Sequence, residues 1–367
     1  LARMGYRPKV FEAEPRPGGM LVQAIPAYRL PREPMAREVR MIERLGVDIE
    51  TNKRLGRDFT LSSLHNDGWE AVFLAVGAPQ GAQLKIPGAN REGVMDALAF
   101  LRQYNIRGSV PVGRRVAVIG GGNAAIDAAR TAVRLGAEAV TVVYRRTRGE
   151  MPAYAEEVEE AEREGVRIEL LAAPYEIAGD SGRITALLCR RMALGEFDRS
   201  GRRRPEESLE EFALEVDQVI VAIGQKLDTT EIFDGVQLKL NQDGFVAADP
   251  VTCQTSVPWV FAGGDAVLGP SSVAEAVGAG ERAAIGIDTW LTGANHAFWR
   301  DSAGSDAFYD PDAEPVSYPR ARMRLIPVER RRHNFDEVEL PWNESVAIRE
   351  AKRCLRCDYG KRPCAGR

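Results

Sequence analysis

Residues 115–127 read Arg115-Val116-Ala117-Val118-Ile119-Gly120-Gly121-Gly122-Asn123-Ala124-Ala125-Ile126-Asp127, and this stretch decides the fold. The β-branched run at 115–119 suits a buried parallel strand. It leads straight into a glycine turn, and the Ala- and Arg-containing segment that follows keeps a helical pattern until about Gly136. A second strand, Val140-Thr141-Val142-Val143-Tyr144, completes a βαβ unit. In such a unit Gly120 permits the tight turn, Gly122 lets the backbone approach a pyrophosphate, and Ala125 is small enough for close helix–strand packing. The helix start at Asn123 and Ala124 offers free N–H groups and a positive dipole end to phosphates. A lone Gly-x-Gly-x-x-Ala says little; strand, turn, helix and strand in this order point to dinucleotide binding.

The second strand runs into Arg145 and Arg146, where an NAD site usually carries an acid for the ribose hydroxyls. Two guanidinium groups suit a 2′-phosphate through charge-assisted hydrogen bonds, so NADP(H) is the expected nucleotide. The competing reading is a pair of solvated surface arginines. Residues 154–164 follow as an acidic helix, and Glu156, Glu157, Glu159, Glu160, Glu162 and Glu164 are expected on a solvated face.

Outside the central unit, Ala71 to Ala78 and Val219 to Gln225 read as strands that end in glycine beside a cofactor. Trp259-Val260-Phe261-Ala262-Gly263-Gly264-Asp265 is another strand, and Ser271 to Val277 opens a helix of small residues behind it. That helix start suits a phosphate or a flavin carbonyl, and Asp265 suits a ribityl hydroxyl. At the other end, Leu1 to Gly5 reads as the last turns of a helix, followed by the strand Lys9-Val10-Phe11-Glu12. Such a start is the second half of a βαβ unit, so an N-terminally truncated flavin domain is expected.

The 367 residues favour two or three domains. With 49 basic and 53 acidic side chains the net charge is −4, which gives no global pull toward nucleic acid or anionic membranes. No apolar run is long enough for a membrane helix, and no signal-peptide pattern is seen, so a cytoplasmic protein is expected. Five cysteines, Cys189, Cys253, Cys354, Cys357 and Cys364, are too unevenly spaced for a secreted disulfide framework. His65, His296 and His333 have no ligand-like spacing.

The chain resembles the glutamate synthase small-subunit family, which shares its flavin module with dihydropyrimidine dehydrogenase. The resemblance rests on ordered stretches: Phe11-Glu12 to Pro17-Gly18-Gly19-Met20, Ile25-Pro26-Ala27-Tyr28-Arg29-Leu30-Pro31, and Gly120-Gly121-Gly122-Asn123. It continues through Tyr144-Arg145-Arg146, Glu150-Met151-Pro152-Ala153, Ala222-Ile223-Gly224-Gln225, Ala262-Gly263-Gly264-Asp265 and Glu350 to Cys357. It implies an α/β fold of two interleaved Rossmann-like dinucleotide-binding domains, an FAD domain split by an inserted NADP domain. The corresponding limits are 1–105 and 227–297 for the FAD domain, 106–226 for the NADP domain, and 298–367 for a C-terminal extension. It further implies FAD contacts at Glu12 (adenosine ribose), Gly18, Gly19, Met20, Arg29, Leu55, Gly264, Asp265, Ser272 and Val273. NADP contacts are implied at Gly121, Gly122, Asn123, Ala124, Ala125, Arg145, Arg146 and Ala222, Ile223 and Gly224. The family's N-terminal cysteine-rich domain and first FAD strand have no counterpart here.

From about residue 298 charged residues, Pro and Trp replace the glycine-rich pattern. Arg330-Arg331-Arg332 reads as a solvated basic run. A helix over 344–353 delivers Cys354, Cys357 and Cys364. Three readings stay open for these thiols: ligands of a four-iron cluster that needs a fourth ligand from elsewhere, a zinc knuckle with the same shortage, or a redox dithiol. Cys189 and Cys253 are expected to be ordinary buried or loop cysteines.

The function these features predict is electron transfer from NADPH through FAD to an iron–sulfur acceptor, on a subunit serving a larger redox partner. The same module serving an aldehyde- or ring-reducing complex, or a nucleotide-binding scaffold without turnover, are the alternatives. Hydride transfer between the two cofactors needs no side-chain acid or base, so no catalytic residue is expected.

Overall fold

In the computed structural model the described residues are 1–180, 182–197, 201, 203–232, 236–297 and 319–353. The decisive stretch folds as read. Strand β6 (Arg115–Ile119) turns into helix α5 (Asn123–Arg134) and returns as β7 (Ala139–Tyr144). These strands join β5 (Val94–Asp96), β8 (Arg167–Leu170) and β12 (Gln218–Val221) in a parallel sheet ordered β5-β12-β6-β7-β8.

Alternate residues of β6 serve two different cores, which is why its run is apolar throughout. Val116 and Val118 pack with α4 (Ala97–Arg107), α5 and α6 (Ala155–Arg163). Ala117 and Ile119 face an antiparallel sheet of β9 (Ala172–Asp180), β10 (Arg183–Phe197) and β11 (Arg203–Glu215), through Ile177, Leu187 and Cys189. Sequence reasoning did not find this three-stranded sheet. Register shifts between Ile184 and Ala186 and between Leu188 and Cys189 break the period-two pattern on which such a reading depends.

The expected domain limit at residue 106 falls inside α4, and the pairing of β5 with β12 carries the central sheet back to Val94. A three-residue strand is too short to be recognised from periodicity. What marks it is Asp96, which caps α4 by accepting from Ala99 N at 3.0 Å.

The flanking segments form a second α/β unit. Strand β1 (Lys9–Glu12) pairs in parallel with β2 (Asp48–Thr51), and β3 (Val72–Leu74) with β14 (Val260–Ala262). Leu61 and Leu74 share one core with Leu227, Leu238, Val246, Val260 and Ala262, so residues on both sides of the central sheet build one layer. Helices α1 (Met20–Gln23), α2 (Arg32–Arg44), α3 (Leu61–Asn66), α7 (Thr229–Ile232), α8 (Asp265–Leu268) and α9 (Val273–Thr292) belong to this half. The short pair β4 (Gln80–Gly81) and β13 (Gln225–Lys226) bridges the two halves. A C-terminal arm follows with β15 (Arg324–Leu325), α10 (Val328–Arg331), β16 (Glu339–Leu340) and α11 (Glu344–Ala351).

The acidic helix and the basic run depart in part from the solvated faces expected of them: Glu156, Glu159, Glu162, Arg330 and Arg332 are exposed, but others turn inward. In α6 and just beyond it, Glu157, Glu160 and Glu164 turn inward beside the buried Val158 and Ala161. Glu164 has no exposed side-chain surface; it accepts from Arg130 at 2.6 and 3.0 Å and from Arg134 at 2.5 and 3.0 Å. Arg331, 1% exposed, reaches the same carboxylate at 3.1 Å and also pairs with Glu160, while Arg130 pairs with Glu157. The physical reason is the i, i+4 spacing of Arg130 and Arg134, which sets both guanidinium groups on one buried helix face that demands partners.

Tyr28, 1% exposed, lies across this cluster with Arg134 3.9 Å and Arg130 4.9 Å from its ring centre. Its carbonyl accepts from Val338 N at 2.9 Å, and Phe335 of the arm stacks on Tyr104 at 4.2 Å. Arg32 donates to Leu21 O and Ile25 O, both at 2.7 Å, and Asn105 to Gln23 O at 2.8 Å. Residues 20–32 are thereby stapled to α4, α5 and the arm.

Candidate nucleotide-binding site

The three glycines behind β6 answer three different demands. Gly120 has φ +141°, and a Cβ there would stand 2.2 Å from Ala222 O. A Cβ on Gly121 would meet the Tyr144 ring at 2.5 Å. Gly122 is extended, and a Cβ on it would meet nothing within 4 Å. It faces open space at the start of α5, which it caps without any side-chain hydrogen bond. The helix N–H groups and dipole there are open to an anion.

Around this turn the structure gathers most of the expected nicotinamide-side residues. Ala222 N donates to Ile119 O at 2.8 Å, and Ala82 N to Gly224 O at 2.9 Å, so the segment Ala222-Ile223-Gly224 lies beside Gly120. Ala153 N donates to Gly121 O and Tyr154 N to Asn123 Oδ1, both at 3.1 Å. The stretch Glu150 to Ala153 thus lies along the glycine turn. Ala125 is fully buried against the sheet.

The two arginines behind β7 do different things. Arg145 is exposed and makes no ion pair or hydrogen bond with the described residues. Arg146 is 4% exposed and donates Nε to Arg203 O at 2.7 Å. Nearby, Glu150 accepts from Thr147 N at 3.1 Å and Thr147 Oγ at 2.7 Å, and from Arg203 N at 3.1 Å. Sequence reasoning did not single out Thr147 or Arg203; the Thr-x-x-Glu spacing was the signal for the first.

The flavin-side residues fall into three groups. Glu12 ends β1 and accepts from Glu14 N at 2.9 Å; burial pushes its carboxyl pKa up. Leu55 bridges to Phe59 close by. Gly18 and Gly19, at φ +128° and +53°, lead into α1 at Met20, which lines a small cavity of about 90 Å³ with Asp96 and Arg102. Gly264 precedes α8, whose Asp265 accepts from Ser271 N at 3.0 Å and Ser271 Oγ at 2.8 Å. Ser272 caps α9 in a reciprocal bond pair with Glu275, leaving Val273 exposed.

Arg29 is engaged elsewhere. Its Nη1 holds both oxygens of Asp127 at 2.9 Å, and its Nε lies 3.2 Å from Glu157. It therefore ties residues 26–31 to α5. Burial pushes the Asp127 carboxyl up to about 6, against the pull of Arg29. A carboxyl that binds its proton more tightly in the fold than in the unfolded chain makes the protein lose stability as pH rises from about 4 to about 6. Asp127→Asn should remove that slope. Urea midpoints of the two proteins, compared from pH 4 to 8, should diverge across this window and run parallel above it.

Among the described residues no cluster of three His, Cys, Asp or Glu could hold a metal ion. Cys354, Cys357 and Cys364 lie outside the described residues. Cys189 and Cys253 are buried free thiols, as expected of them. No helix among the described residues is long and apolar enough to cross a membrane.

Residues 7–280 match the family described as pyridine nucleotide-disulphide oxidoreductase. The chain belongs to that family. Within it, the chain is 42% identical over 372 residues to the NADP(+)-dependent formate dehydrogenase subunit beta of Moorella thermoacetica, covering 97% of this chain and 52% of that protein. It is 37% identical to the NADPH-Fe(3+) oxidoreductase subunit beta of Geobacter sulfurreducens, covering 97% and 58%. The glutamate synthase (NADPH) small chain of Escherichia coli is 36% identical over 79% of this chain and 65% of its own length, so the expected kinship is present. The chain spans about half the length of the first two of these relatives. Among solved structures, Mycobacterium tuberculosis FprA in complex with NADPH shares the fold with a TM-score of 0.65 at 20% identity, over 77% of both chains. The interleaved α/β architecture expected from the motifs is the fold of this family.

Proposed function

We propose that this chain is the electron-input module of a larger redox enzyme, binding NADPH and FAD and passing electrons to an iron–sulfur acceptor. The observation that carries the reading is the turn Gly120-Gly121-Gly122: its backbone is forced at two positions and open at the third, at the start of a helix with no side-chain cap. The residues present fit a dinucleotide there. Gly122, Asn123 and Ala124 would hold the pyrophosphate, and Arg145 a 2′-phosphate. Glu12, the Gly18-Gly19 turn, Asp265 and the Ser272 end of α9 would hold FAD. When bound, the flavin takes a hydride equivalent and releases electrons one at a time. This chain's own part is to bind and orient the two nucleotides.

The names of the relatives, subunits beta and a small chain, support service to a partner subunit. A glutamate synthase-like large subunit is the partner class proposed, in the cytoplasm, with neither nucleic acid nor membrane insertion involved. Cys354, Cys357 and Cys364 are proposed to contribute to a four-iron cluster with one ligand from elsewhere.

The purified protein should carry flavin absorbing near 450 nm. Under anaerobic conditions NADPH should bleach that band at least tenfold faster than equal NADH. A colourless protein that still binds NADPH would instead be a scaffold subunit.

A further inference from the structure

We infer that Arg146 is a positioning residue, that Arg145 alone reads the 2′-phosphate, and that the turn end of the β10–β11 hairpin, at Arg203, is part of the nucleotide-specificity device. This rests on reading the turn behind β7 as an NADP site. The residue pair was expected to act together on the phosphate; the structure separates them by burial and by partner.

The loop from Tyr144 to Glu150 is closed by its own Glu150. That carboxylate holds Thr147 N and Oγ on one side, and Glu150 O accepts from Tyr144 OH at 2.7 Å on the other. The same loop grips one residue of the β10–β11 hairpin, Arg203, through the peptide groups on both sides of it. Arg203 N donates to Glu150 Oε1 at 3.1 Å, and Arg203 O accepts from Arg146 Nε at 2.7 Å. The Thr147 hydrogen bonds lead the interactions that hold the Glu150 pKa below its usual value, so it is a carboxylate at neutral pH. A buried guanidinium committed to a carbonyl stays where it is, because leaving would strand it. What the clasp leaves pointing outward is Arg145, exposed and unpaired among the described residues.

The sign of one substitution separates this arrangement from a simple phosphate-binding pair. Glu150 is an acid in the loop that carries Arg145. If charge alone mattered, deleting it would strengthen binding of a dianionic 2′-phosphate. If Glu150 positions the loop, deleting it weakens binding.

The test uses calorimetric titration of the flavin-loaded full-length protein with 2′,5′-ADP and 5′-AMP, and reads the ratio of the two affinities. Wild type should prefer 2′,5′-ADP about 100-fold or more, corresponding to about 2.7 kcal/mol. Arg145→Met should abolish the preference. Glu150→Ala and Arg146→Met should each lower it about tenfold, Glu150→Gln, which keeps one of the two acceptor oxygens, should recover part of it, and neither change should matter further once Arg145 is Met. A rise in preference on Glu150→Ala overturns the inference, as does a loss from Arg146→Met that persists in the Arg145→Met protein. A wild-type protein with no preference at all would overturn the NADP reading beneath it. Thermal midpoints and 5′-AMP affinity distinguish a misfolded variant, and the Gln variant keeps the question answerable if the Ala variant unfolds.

Discussion

Glu164→Gln should be among the most damaging single substitutions in this chain, costing about 3–5 kcal/mol of folding stability. The change is nearly isosteric, so no cavity forms. It removes the carboxylate on which Arg130, Arg134 and Arg331 converge with no solvent beside it. Burial alone would push the Glu164 carboxyl up; the hydrogen bonds from Arg130 and Arg134 override that and hold it below its usual range. Its contribution is therefore present above the unfolded carboxyl value and is lost as acid protonates it. Urea unfolding at pH 7 gives the measurement, and a loss under about 1 kcal/mol would mean that water reaches the cluster. Replacing all of the charged members with apolar residues should cost less than this one change, because stranding a buried ion is worse than never burying it.

The second large effect falls on binding rather than on folding. Gly122→Ala should still fold, since its extended backbone accepts any residue and its Cβ would meet nothing. The gain of about 0.4–1 kcal/mol from a stiffer unfolded chain is offset by replacing a glycine N-cap with the less favoured alanine, so stability should change by less than about 1 kcal/mol. If Gly122 cradles the pyrophosphate as proposed, NADPH affinity should nevertheless fall roughly tenfold or more, because the added methyl group would stand in its path. Gly122→Asp adds like charge at the same place and should cost several kcal/mol of binding, roughly 100-fold or more. Gly120→Ala reverses the pattern: at φ +141° and 2.2 Å from Ala222 O it should lose folding stability first. Circular dichroism melts and NADPH titrations on the three proteins decide the matter. Unchanged NADPH binding by Gly122→Ala would remove this turn as the phosphate cradle.

The central βαβ unit was legible because its signals are local: a two-sided apolar strand, a glycine turn and a small-residue helix within thirty residues. The same holds for the strand ends at Gly224 and Gly264 and for the helix opening at Ser271 to Val277. What was illegible depends on partners distant in the chain. Nothing near Arg331 announces that its guanidinium lies buried against Glu164, 167 positions earlier. The i, i+4 pair Arg130 and Arg134 sits on a helix that is buried nearly all round, and that was the one available hint. The difference between Arg145 and Arg146 arises from a backbone carbonyl on β11, and a carbonyl has no letter in the sequence. The β9–β11 sheet escaped for another reason, because its bulges reset the alternation that would have betrayed it.

The charged cluster around Tyr28 also sets an order of assembly. Its members sit at positions 28–29, 127–134, 157–164 and 331, so synthesis delivers them over most of the length of the chain. When Glu164 leaves the ribosome, Arg130 and Arg134 are already there to receive it. Arg331 and the stacking ring of Phe335 come some 170 residues later. Of the segments that build this cluster, the arm is the one synthesised last, and its Arg331 closes the ring of partners around Glu164.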